Sequence, residues 1–216
     1  MAMIYLIGGP PRCGKTTVAK LLSKKTGASW ISTDTLEALI STYVSKDGRD
    51  LMFPKRKMRI ETKRSNDLLY SKFTTKEIVA AYKEQSKSVW KALEMLVQVE
   101  LKQGRDYIVE GYHIHPKLIK TLVDKHGTKN IRSVILLRLD EEQTVLDCLK
   151  STAKNDWLLQ NTKDPNTYTL IAQMVVEFSA FFKKEAVKKK IQVVEMDAGF
   201  KKQAQLAVKV LQEQGF

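Results

Sequence analysis

Residues Gly9-Pro10-Pro11-Arg12-Cys13-Gly14-Lys15-Thr16 carry the spacing G-x-x-x-x-G-K-T. In that spacing the two glycines let the backbone close into a concave nest whose N–H groups point at phosphate oxygens. Lys15 reaches the β- and γ-phosphates, and the Thr16 hydroxyl can ligate Mg2+. The stretch from Gly9 to Thr17, with Pro10, Pro11, Arg12 and Cys13 inside it, is the expected cradle of a nucleoside triphosphate. Lys15 doubles as a catalytic candidate, because phosphoryl transfer depends on charge neutralisation more than on covalent help. A transferred phosphoryl group also needs an oriented acceptor, and a carboxylate within hydrogen-bond reach is the usual means. Asp34, in Ile31-Ser32-Thr33-Asp34-Thr35, is the candidate for orienting and deprotonating a hydroxyl. Its alternative is a structural one, the N-cap of a helix beginning near Leu36, a place that Thr33 or Thr35 could also fill. Glu110 ends an apolar run, where it can hold Mg2+ through a water or bond the acceptor directly.

A strand must deliver the phosphate loop and a helix must leave from it. Apolar runs at 4–7, 29–32, 107–109, 133–139 and 192–196 read as strands. Helical patterns separate them at 16–26, 35–45, 75–102, 116–126, 141–160, 165–189 and 201–213. That alternation is the signature of a parallel sheet with crossover helices. The fold class is therefore α/β: a P-loop NTPase with a five-stranded parallel sheet flanked by helices, in one domain over residues 1–216. Thr74 with Glu77 forms a capping box, and Asp164-Pro165 an N-cap and first helical position. Open parallel sheets bind ligands at the C-terminal ends of their strands. Gly9, Asp34, Glu110, Arg138 and Asp197 stand at those ends.

The net charge is +13, and residues 46–73 concentrate it, with nine basic residues against four acidic ones. Such an excess suits an anionic partner, whether phosphorylated metabolite, nucleotide or nucleic acid. The plain reading is a lysine-rich solubilising surface. Lys183, Lys184, Lys188, Lys189 and Lys190 close a helix, where cations complement the dipole. No aromatic residues interleave with them, as a stacking surface for single strands would require. Nucleic acid is thus the less favoured partner. No apolar run approaches 18 residues, so no membrane span is expected. An immediate first strand leaves no room for a signal peptide, and two cysteines cannot make a disulfide framework, so a reducing, cytoplasmic setting is expected. His113 and His115 alternate but lack the partners of a zinc site.

Three places together carry a resemblance: the strand–G-x-x-x-x-G-K-T–helix unit, Ile31-Ser32-Thr33-Asp34, and Ile108-Val109-Glu110-Gly111-Tyr112-His113-Ile114-His115-Pro116. In motif order, over roughly the first two-thirds of the chain, the sequence resembles the small P-loop kinases of the nucleoside-kinase-like group related to archaeal 2-phosphoglycerate kinase. That family's E-G-x-H-x-x-P element is matched from Glu110 to Pro116. The resemblance implies ATP with Mg2+ as donor and a hydroxyl on a small anionic metabolite as acceptor. Gly9 to Thr17 would bind ATP, Asp34 and Glu110 would face the acceptor, and His113 would touch it or brace the loop. Related kinases place an acceptor-binding lid where residues 46–73 stand, which makes Arg49, Lys55, Arg56 and Arg59 candidates to hold an acidic acceptor. They also bring arginines from a second lid, here about residues 148–165. This chain has Lys150-Ser151-Thr152-Ala153-Lys154 there, point charges rather than planar forks. Arg138, Lys150 and Lys154 are the lid candidates, and Arg12 or Arg138 can substitute for the missing arginines. Two other readings remain open at this level: a nucleotide or RNA-end kinase, and a non-catalytic NTP-binding regulatory module.

Overall fold

The structure, a computed structural model, describes residues 2–150 and 156–213. Its centre is a sheet of five parallel strands in the order β2-β3-β1-β4-β5. The strands are β1 (Ile4–Gly8), β2 (Ser29–Ser32), β3 (Tyr107–Glu110), β4 (Ile131–Leu137) and β5 (Val193–Glu195). β1 is buried along its whole length between β3 and β4, as a near-continuous apolar run in a doubly covered parallel sheet should be. Register sets the chemistry at the strand ends: Ile7 lies level with Glu110, and Ser32 is level with Glu110 on the other side. The residues after β1, β2 and β3 therefore emerge side by side.

The helices are α1 (Lys15–Thr26), α2 (Thr33–Tyr43), α3 (Lys46–Met52), α4 (Pro54–Glu61), α5 (Asn66–Lys72), α6 (Thr75–Ser86), α7 (Trp90–Lys102), α8 (Pro116–His126), α9 (Glu141–Leu149), α10 (Trp157–Gln160), α11 (Pro165–Lys188) and α12 (Phe200–Glu213). α11 supplies the largest aromatic contribution to the core, with Phe178 and Phe182 fully buried. Among the described residues no helix is long and apolar enough to cross a membrane.

Two expectations change. The helix expected over 75–102 is broken by a 3-10 turn at Lys87–Val89. Trp90 explains the break: its indole Nε1 donates to the His113 carbonyl at 2.9 Å, a tertiary contact that re-aims the chain. The helix expected over 141–160 ends at Leu149, and a short one restarts at Trp157, with Asp156 as its N-cap. The basic segment 46–73, between the helices expected at 35–45 and 75–102, holds three short helices of its own. Ser45 and Ser65 cap two of them, and Pro54 opens the third behind the fully buried Phe53.

Candidate functional site

The chain leaves β1 at Gly8, turns through residues 9–14 and enters α1 at Lys15. Gly14 is the helix N-cap in a left-handed conformation, and no side chain caps α1, which leaves its first amides for a ligand. The Phe200 ring lies against Gly14, where a Cβ would come within 2.4 Å of it. Lys15 Nζ folds back over the loop and donates to the Pro10 carbonyl at 2.5 Å. Thr16 Oγ1 donates to Glu110 Oε1 at 2.9 Å. Burial raises the Glu110 carboxyl above its ordinary range, with Lys15 and the Thr16 hydroxyl opposing it. Burial also pushes the Cys13 thiol up to about 11, so this loop residue is a neutral core group. A cavity of about 790 Å3 opens over the loop and is lined by Arg12, Lys15, Thr16, Asp34, Glu110 and Phe200 among others.

Asp34 stands exposed in the first turn of α2, above a buried network. Gly111, at φ +154°, allows Thr33 to approach so closely that a Cβ there would lie 1.7 Å from Thr33 Oγ1. Thr33 Oγ1 lies 2.7 Å from His113 Nδ1, and His113 Nε2 lies 2.9 Å from Glu37 Oε2. The Tyr112 hydroxyl donates to the same Glu37 oxygen at 2.7 Å and accepts from Gln85 Nε2 at 3.0 Å. Burial works to raise Glu37, but the His113 bond and the charge of Lys55 outweigh it and hold the carboxyl at about 2. Lys55 lies over the rings of Tyr82 and Tyr112, 5.0 and 5.8 Å from their centroids. Burial lowers its pKa, yet Tyr82, Glu37 and Asp34 raise it further, so the ammonium is kept charged. Ligand atoms of Asp34, Glu37 and His113 fall within 4.8 Å of one another. Both His113 nitrogens are engaged, by Thr33 and Glu37, and the Lys55 cation lies alongside.

Two arginines form the opposite wall. Arg12 holds a positive φ of 68° and pairs with the buried Asp156 at 2.7 Å. Arg138, buried at the end of β4, donates from Nε to the Arg12 carbonyl at 3.0 Å and pairs with Asp147 at 2.7 Å. Its Nη1 stands 3.6 Å from Asp197 Oδ1, and neither atom has a hydrogen-bond partner among the described residues. Carboxylates thus hold both guanidinium groups beside the phosphate loop.

A family described as "ATPase family associated with various cellular activities (AAA)" matches residues 5–89. An uncharacterized protein of Dictyostelium discoideum is 30% identical over 122 residues, 56% of this chain and 14% of that protein. A 2-phosphoglycerate kinase of Pyrococcus furiosus is 30% identical over 123 residues, 55% of this chain and 37% of the relative. The chain thus spans well under half the length of the curated relatives it matches. A sugar kinase from Janibacter superposes over 98% of this chain and 95% of its own, with a TM-score of 0.54 at 13% identity. A gluconokinase from Sinorhizobium meliloti covers 98% and 91%, with a TM-score of 0.50 at 11% identity. The chain has a P-loop NTPase fold, five parallel strands flanked by helices.

In this P-loop protein Asp34 is not a helix cap. The Ser32 hydroxyl accepts from the Asp34 amide and α2 begins at Thr33, so neither Thr33 nor Thr35 takes that place either. His113 is fully buried, faces Thr33 and Glu37, and lines neither cavity. Of the basic candidates, Lys55 and Arg59 line cavities beside Asp34. Arg49 is exposed on α3 and lines neither cavity. Arg56 turns away, donating to Ser41 Oγ at 2.6 Å. Helical periodicity explains the split, since Lys55 and Arg59 share one face of α4, four residues apart. Lys150 lines the larger cavity, and Lys154 lies outside the described residues. Sequence reasoning missed Glu37, Asp156 and Phe200. Glu37 had a signal, one helical turn after Asp34; Phe200 had none beyond its place at the start of the last helix.

Proposed function

We propose that this chain is an ATP-dependent kinase that transfers the γ-phosphoryl group to a hydroxyl of a small anionic metabolite. One observation carries the reading: Asp34 lines both the cavity over the phosphate loop and a second, adjoining cavity of about 230 Å3 that holds Lys55 and Arg59. A carboxylate at such a junction is where an acceptor hydroxyl meets the γ-phosphate. In the transfer, the acceptor oxygen forms a bond to the γ-phosphorus, the bond to the ADP oxygen breaks, and Asp34 takes the hydroxyl proton.

The loop amides and Lys15 would cradle the phosphates, and Phe200 would offer its ring face to the base. Mg2+ fits the residues present, since the Thr16 hydroxyl is held by a buried carboxylate at 2.9 Å. Bound there through Thr16, with Glu110 behind, it would supply neutralisation of phosphate charge. Arg12 and Arg138 would balance charge on the transferred group.

Binding of Mg-ATP by calorimetry, with ADP release measured against metabolite pools, tests this reading. Lys15→Ala is expected to weaken ATP binding strongly and to abolish turnover. Equal ATP affinity in wild type and variant would refute it.

A further inference from the structure

The second cavity says more about the acceptor than that it is anionic. It lies between α4, α5, α6 and α11, and most of its wall is apolar: Met58, Leu69, Tyr70, Ile78, Tyr82 and Met174. Its volume of about 230 Å3 corresponds to roughly eight water-sized groups. Its charged lining residues are Asp34, Lys55 and Arg59. Lys55 stands over the Tyr82 ring, and Arg59 is held by Asn66 Oδ1 at 2.5 Å and by the Arg64 carbonyl. Asn66 is itself fully buried and fixed by a bond to Thr162 Oγ1 at 2.8 Å, so the guanidinium sits on a rigid base. Against these two cations stand two carboxylates, Asp34 and Glu37, both within electrostatic reach of Lys55.

The cavity's own lining carries a formal charge of +1, Lys55 and Arg59 against Asp34, before any ligand enters. A phosphorylated acid would bring two or three negative charges into a half-closed apolar space, where uncompensated charge is costly. One carboxylate can draw on the charges of Lys55 and Arg59, both of which line the cavity. A hydrocarbon body would cover the Met58, Leu69, Ile78 and Met174 wall.

We propose that the acceptor is a hydroxylated monocarboxylate with a hydrocarbon body, seated with its carboxylate on Lys55 and Arg59 and its hydroxyl at Asp34. This rests on the kinase reading above. The hydroxyl oxygen attacks the γ-phosphorus of ATP, ADP leaves, and the proton passes to Asp34, giving an acid with one phosphate ester.

ADP release is measured with 2-hydroxy-4-methylpentanoate, 3-phenyllactate, gluconate and 2-phosphoglycerate as acceptors, alongside ATP affinity for the same preparations. At least one of the first two is expected to show a kcat/KM tenfold or more above that of 2-phosphoglycerate. Lys55→Met is expected to raise the KM of that acid at least tenfold. Met58→Lys, which adds a cation to the apolar wall, is expected to narrow the preference and serves if Lys55→Met fails to fold. Preference for 2-phosphoglycerate, turnover of neither hydrocarbon-bodied acid, or a KM indifferent to both substitutions would overturn the inference. ATP affinity that depends on Lys15 in those same preparations would leave the kinase reading standing.

Discussion

His115 makes acid sensitivity of the fold a quantitative expectation. The imidazole lies in an aromatic cluster, 4.9 Å from Phe182, 5.5 Å from Phe181 and about 6 Å from Phe178 and Trp90 between ring centroids. Its Nε2 has no hydrogen-bond partner among the described residues. Burial lowers its pKa from 6.5 to about 3, with His113, Lys83 and Lys87 adding to the shift and Glu185 opposing it. As pH falls through 6.5 the unfolded chain takes up a proton that the folded chain refuses until about pH 3. Stability is therefore fully present above pH 6.5, declines below it, and stops declining near pH 3. At pH 5 the unfolded state is ahead by 1.5 pH units at ~1.36 kcal/mol each, a loss of about 2 kcal/mol. With a urea m-value near 2 kcal/mol/M, that moves the midpoint by roughly 1 M. The assay is urea unfolding at pH 8 and pH 5 for wild type and His115→Leu. Glu37, held at about 2 against an ordinary 4.5, titrates below this window and does not confuse it. The wild type is expected to lose about 2 kcal/mol more than the variant between the two pH values. Equal losses would show that the imidazole is protonated, or solvated, inside the fold.

Asp34→Asn is expected to cut kcat by roughly 10²–10⁴ while leaving the KM for ATP nearly unchanged; steady-state kinetics with an identified acceptor decide it, and a normal kcat would remove Asp34 from the chemistry. Gly111→Ala places a methyl 1.7 Å from Thr33 Oγ1 at a backbone angle few side chains adopt. It is expected to destabilise the fold by more than about 2 kcal/mol, read by thermal or urea unfolding, and a loss under half of that would refute the close approach. Phe200→Ala is expected to cost about 1–3 kcal/mol of ATP affinity, the usual worth of a base–aromatic contact. Binding of inorganic tripolyphosphate should stay unchanged, and equal losses for both ligands would mean that Phe200 acts only through Gly14.

The phosphate loop, the parallel α/β architecture and the strand ends could be read directly from the chain. These signals are local: a G-x-x-x-x-G-K-T spacing, an alternation of apolar runs with helical periods, and Asp34 and Glu110 at strand termini. Element boundaries were less legible where long-range contacts override propensity, as when Trp90 reaches the His113 carbonyl and breaks a helix that the pattern would have continued. The division of labour inside Glu110–Pro116 was also hidden. His113 turns to Glu37 on α2, while the neighbouring His115 enters the aromatic cluster of α11, partners 76 and more than 60 residues away in sequence. Among the basic residues, only packing decided that Lys55 and Arg59 face the cavity and that Arg49 and Arg56 do not. Composition counts charges, but it takes the docking of α4 against α6 to say which of them are desolvated beside a carboxylate, and that desolvation is what gives a charge its work.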